Sequence, residues 1–140
     1  MTKEDKNLLL QDLCARLPYG VKFKITETYT KTLHSIGIEN GRLIPINLFY
    51  KKPEFYLINE FGRLKYKPYL RPLSSMTEKE MSELRQWGSL CMTPDYCVED
   101  VGVYGAIHSI PVIDWLNAHH FDYRGMIEKG LALPAKEGMY

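Results

Sequence analysis

The apolar residues change period partway along the chain, and that change limits the fold more than any other feature. From Val21 to Lys67 they recur at alternate positions between turn dipeptides; from Thr77 onward they recur at helical spacing. Strands gathered first and helices afterwards point to α+β rather than alternating α/β: an antiparallel meander of about five strands packed by three or four helices. The 140 residues suit one domain, residues 1–140, and can bury a core without disulfide or metal staples.

A helix precedes the strands. Thr2 caps it, Glu4 and Asp5 favour its first turn, and Leu9, Leu10, Leu13, Cys14 and Leu17 form an apolar stripe. Pro18 stops it and Tyr19-Gly20 turns the chain. Val21, Phe23, Ile25 and Tyr29 then alternate with Lys22, Lys24, Thr26 and Thr28, as in a half-buried strand over 21–29. Asn40-Gly41 marks a hairpin between Leu33–Ile38 and Leu43–Tyr50. A two-residue loop sets Ile38 opposite Leu43 and Ile36 opposite Pro45, whereas the alternation Ile44, Ile46, Leu48 asks for one more loop residue or a bulge. Phe55–Ile58 and Arg63–Lys67 flank a turn at Asn59–Gly62, and Lys67–Pro72 must be extended or irregular.

Thr77 and Glu80 form a capping box, with Met76 and Met81 placed as its hydrophobic staple, so a helix runs from there to about Leu90. Another starts near Ser109 with Pro111 in its first turn, carries Ile113, Trp115, Leu116 and His119, and is interrupted at Phe121-Asp122-Tyr123. A short helix over 123–129 should end at Gly130, leaving a loosely held tail from Pro134 to Tyr140.

Composition narrows the function classes. No apolar run approaches the roughly 18 residues of a membrane span. The start Met1–Lys6 is charged and has no apolar leader core. Three cysteines, Cys14, Cys91 and Cys97, suit a reducing compartment better than a disulfide framework. These features suggest a cytoplasmic protein. Net charge is +1, yet residues 1–71 hold thirteen Lys/Arg against seven Asp/Glu and residues 72–140 five against ten. That asymmetry is read as mutual attraction of the two halves within the fold.

Several blocks also carry a resemblance. They are Leu17-Pro18-Tyr19-Gly20-Val21, the run from Lys67 to Thr77, the run from Asp114 to Gly125, Gly130-Leu131-Ala132-Leu133 and Glu137-Gly138-Met139-Tyr140. Together, over less than half of the chain, they resemble a family of small proteins encoded by phages and mobile elements of anaerobic gut bacteria. That family has no assigned activity, so the resemblance transfers no catalytic residue. It implies a bacterial cytoplasm and a prophage origin.

Three functional readings compete. The first is a non-enzymatic accessory protein that binds another protein, with Tyr69, Leu70 and Arg71 of an exposed Pro-Tyr-Leu-Arg-Pro segment as the contact, because aromatic residues and arginine dominate binding hot spots. The second is a single-stranded nucleic-acid binder using residues 50–71. There Lys51, Lys52, Arg63, Lys65, Lys67 and Arg71 would meet phosphates, and aromatic residues such as Tyr69 would stack on bases, although Tyr66 falls on the core side. The third is a metal-dependent enzyme around His119, His120 and Asp122. Adjacent helical residues diverge by about 100°, so one histidine is better read as packed and the other as finishing the helix. His34 and His108 stand alone, and no nucleophile motif or phosphate-binding glycine loop is present. Neither catalytic residues nor a metal or other cofactor are assigned.

Overall fold

The computed structural model describes residues 1–39, 42–45, 57–58, 63–87 and 110–140. The Asn40-Gly41 turn, the arm beyond Pro45, Lys51, Lys52, Tyr50, Phe55, Tyr56, Phe61, Cys91, Cys97 and His108 lie outside the described residues. The architecture is α+β, with helices α1 (Lys3–Arg16), α2 (Glu78–Trp87) and α3 (Ile110–Ala118). The strands are β1 (Lys22–Lys24), β2 (Thr30–Thr32), β3 (Ile36–Glu39), β4 (Arg42–Pro45), β5 (Lys67–Leu70) and β6 (Leu133–Pro134). Among the described residues, no helix is long and apolar enough to cross a membrane.

One sheet has the order β2-β1-β5-β6; β3 and β4 form a separate antiparallel pair. β1 pairs antiparallel with β2 on one side and β5 on the other, while β6 runs parallel to β5. The strand expected over 21–29 is thus a tight hairpin. The Ile25 and Thr26 N–H groups both donate to Tyr29 O, and Lys24 Nζ lies 2.6 Å from Glu27 Oε1 across the bend. In the separate pair, Ile38 faces Leu43 and Glu39 faces Arg42, the register of a two-residue loop. An antiparallel bridge between Ile58 and Leu64, with Lys65 N–H donating to Leu57 O at 2.7 Å, brings together the arms flanking residues 59–62.

Pro68 lies within central β5. It faces Phe23, between the Lys24–Lys67 pair and the next register position, Lys22–Tyr69. Hydrogen-bonded and non-bonded pairs alternate along an antiparallel ladder, so β1 does not need the N–H that proline lacks.

α1 buries Leu9, Asp12, Leu13 and Arg16, one face at i, i+3, i+4, i+7 spacing. Cys14, expected on the buried stripe, is exposed. Leu9 and Leu13 pack with Val21, Phe23, Leu33, Leu70 and Met126 in one apolar cluster; Leu84 of α2 and Val112 and Leu116 of α3 join Leu73, Met76 and Phe121 in another. The helix expected over 123–129 is a series of turns held by Asp122. Its carboxylate accepts from Met126 N–H and Ile127 N–H, both at 2.8 Å, and Gly130 ends the turns at φ +68°.

Candidate functional site

β5 leaves the sheet at Arg71, where its exit is tied to residues 120–122 after α3. Arg71 N–H donates to His120 O and Asp122 N–H to Arg71 O, each at 2.8 Å. Pro72 then opens a 3₁₀ turn over Leu73–Ser75, which delivers the chain to Thr77, the cap of α2. The expected capping box is present: Glu80 N–H donates to Thr77 Oγ1, and Thr77 N–H donates to Glu80 Oε2 at 2.9 Å.

Glu80 has a second partner. The Arg71 guanidinium donates to its two oxygens at 2.7 and 2.9 Å, a bidentate pair, while resting 4.2 Å from the centre of the Phe121 ring. Hydrogen bonds from Arg71 chiefly, and from Thr77, hold the Glu80 carboxyl well below its ordinary range, at about 2. Glu80 therefore stays anionic and Arg71 stays in place.

The opposite wall is the C-terminal segment, expected to be loose. Its first residues form β6, and Ala135 N–H donates to Leu70 O at 2.7 Å. A turn follows, in which Met139 N–H donates to Lys136 O and Gly138 takes φ +71°, a conformation open to glycine. Tyr140 then anchors the segment. Its hydroxyl accepts from Lys22 N–H at 2.9 Å and donates to Tyr69 O at 2.8 Å, replacing the next β1–β5 rung with a phenol bridge. Lys22 Nζ donates to Met139 O and lies 5.3 Å from the centre of the Tyr140 ring. Burial pushes the Tyr140 hydroxyl up to about 12, so it remains a donor.

Between these walls lies an open cleft of about 550 Å³. Arg71, Pro72, Ser75, Thr77 and Glu80 line one side; Ala135 through Tyr140 line the other. No histidine or cysteine is among the lining residues.

A buried polar cluster joins α1 to the segment after α3. Asp12 and Arg16 are fully buried and joined by contacts of 2.8 and 3.0 Å, and Arg16 Nη2 also donates to Phe121 O at 2.7 Å. Arg124 Nε approaches Asp12 at 3.4 Å, and Tyr123 links Arg124 to Asn117.

The residues expected to bind separate widely. Tyr69 and Leu70 are 6% and 0% exposed, so the Pro-Tyr-Leu-Arg-Pro segment is a central strand and not an exposed loop. Of that trio, only Arg71 lines the cleft. In the basic stretch, Arg63 and Lys65 are exposed, Lys67 is half-buried beside Lys24, and Tyr66 is buried on the core side as expected. Among the described aromatic residues, Tyr29 is 50% exposed, with Lys31 Nζ 5.9 Å from its ring centre.

His119 and His120 diverge. His119 Nδ1 contacts Trp115 O at 2.9 Å and its ring stacks on Trp115 at 3.9 Å, whereas His120 is buried at φ +60° and stacks on Tyr140 at 3.8 Å. With Asp122 engaged by two backbone N–H groups, the three residues do not converge. Among the described residues, no three His, Cys, Asp or Glu side chains are placed to share a metal ion.

Sequence reasoning missed Glu80 as the partner of Arg71 and the whole Ala135–Tyr140 wall. Glu80 was visible only as a capping residue, and Gly138 was the sole local sign of an ordered turn near the end. The chain matches no protein-family model, no curated protein and no solved structure.

Proposed function

We propose that this chain is a non-enzymatic, phage- or mobile-element-derived accessory protein that binds another protein through the cleft between Arg71–Glu80 and Ala135–Tyr140. The observation that carries this reading is the cleft's construction: two walls fixed by backbone hydrogen bonds and one bidentate ion pair. Preorganised walls suit recognition, because less order must be imposed when a partner arrives.

The lining suits catalysis less well. Glu80, held near 2 by Arg71, is a weak general base at neutral pH, and Ser75 Oγ donates to Pro72 O at 2.7 Å. Pro72, Met139 and the Tyr140 ring supply apolar contact, while Ser75, Thr77 and Lys136 supply polar contact, the mixture of a transient interface.

The test is affinity capture from bacterial cytoplasm with the unaltered chain, with Ser75→Trp or Glu137→Trp to fill the cleft, and with Gln11→Trp on the exposed face of α1. A defined protein should be retained by the unaltered chain and by Gln11→Trp, and lost with both cleft variants. Equal retention by all four proteins would refute the assignment of the cleft. Salt-sensitive retention of labelled single-stranded DNA or RNA, abolished by Lys65→Glu/Lys67→Glu, would favour the nucleic-acid reading instead.

A further inference from the structure

His120 lies where a charge would be poorly accommodated. It is 5% exposed, and its Nδ1 has no hydrogen-bond partner among the described residues, so a proton added there would become a buried N–H without an acceptor among them. Among the described residues, the charges that act on it most strongly are cationic: Arg16 of α1, Lys22 of β1, Arg71 at the exit of β5, and the adjacent His119 when protonated. The nearby carboxylates are engaged elsewhere, Asp12 by Arg16 and Asp122 by the Met126 and Ile127 N–H groups. Stacking on the Tyr140 ring would favour an imidazolium, but the Lys22 ammonium already lies over that ring, 5.3 Å from its centre. Burial first, and then these cations, lower the His120 pKa to about 4.

Tyr140 stacks on the His120 ring and is itself 40% exposed. Its removal would give His120 access to water, at the loss of the phenol bridge between Lys22 and Tyr69 and of the Lys22–Met139 contact.

We propose that Ala135–Tyr140 is an acid-released strap: protonation of His120 expels the Tyr140 ring, frees the segment from β1 and β5, and dismantles one wall of the cleft. The release stands on the burial of His120 and the contacts of the strap; only its consequence for a bound partner rests on the binding reading above. Above the transition the strap is closed and the cleft complete. Below it the cleft is open on the side of Lys136 and Met139.

The experiment is a series of ¹H–¹⁵N spectra of the full chain from pH 7 to 3.5, with the His120 imidazole signals followed in the same samples. The amides of Lys22, Ala135 and Met139 should shift together as His120 titrates, with a midpoint near 4, while those of Leu13, Phe23 and Leu84 hold their positions. Tyr140→Phe keeps the ring and deletes the phenol bridge, so it should move the midpoint up toward the ordinary histidine value of 6.5. The proposal is overturned if His120 titrates near 6.5 in the unaltered chain, or if strap amides stay fixed after His120 is protonated. It is also overturned if core amides are lost in the same step, or if Tyr140→Phe leaves the midpoint unchanged. Because no partner is added, these outcomes are independent of whether the cleft binds a protein.

Discussion

Replacing Asp12 with alanine would remove the carboxylate from a guanidinium that is itself 0% exposed. Arg16 would keep its bond to Phe121 O but lose both contacts to Asp12, leaving an uncompensated buried charge. Breaking a buried pair from one side typically costs about 3–5 kcal/mol. Unfolding entropy of about 2.1 cal/mol/K per residue makes each kcal/mol roughly 3 °C in Tm for a chain of this length, so Tm should fall by about 10–15 °C. Removing both partners behaves differently. Asp12→Leu/Arg16→Met abolishes the stranded charge but leaves the Phe121 carbonyl without its donor, a defect of about 1–3 kcal/mol. The double variant should therefore be more stable than Asp12→Ala, and its loss smaller than the sum of the single losses. Urea denaturation followed by circular dichroism, with matched slopes, measures all of these. An Asp12→Ala loss below about 1 kcal/mol, or a double variant less stable than both single ones, would refute the view that this pair is buried and mutually dependent.

Two further outcomes follow from the same structure. The Glu80 carboxyl is lowered in the folded chain, so its contribution to stability is present above its ordinary value of 4.5 and is lost as pH falls toward about 2. Solvent screening limits that contribution to about 1 kcal/mol, and Glu80→Gln should remove this part of the acid dependence in thermal melts. Gly20 has φ +71°, and a Cβ there would lie 3.1 Å from Thr32 Cγ2, so Gly20→Ala should lower stability by about 1–2 kcal/mol in urea titrations, whereas a neutral or stabilising result would contradict the left-handed turn after Tyr19.

What the sequence revealed was mostly local. The Thr77–Glu80 box, Pro111 at the start of α3 and the Gly130 stop depend on residues within a few positions of each other, and each was readable from spacing. The Asn40-Gly41 register was not, because a two-residue loop and the Ile44, Ile46, Leu48 alternation ask for different pairings. The missed features depend on distant partners. Tyr140 is placed by Lys22, Tyr69 and His120, none of which is a sequence neighbour. Tyr69 and Leu70 looked exposed because prolines flank them, but pairing of β5 with both β1 and β6 puts them in the interior. The Asp12–Arg16 pair at i, i+4 was available as a signal; its burial was hidden because charged residues on a helix are usually solvated.

The central claim is that the cleft between Arg71–Glu80 and Ala135–Tyr140 holds a protein partner. Site-specific photo-crosslinking tests it most directly: a photoreactive phenylalanine at Ser75, at Glu137 or at Gln11, irradiated in bacterial cytoplasm, with adducts identified by mass spectrometry. The same partner protein should be attached at Ser75 and at Glu137 and absent at Gln11. Adducts distributed equally over the three positions, or none at Ser75 and Glu137, would contradict it.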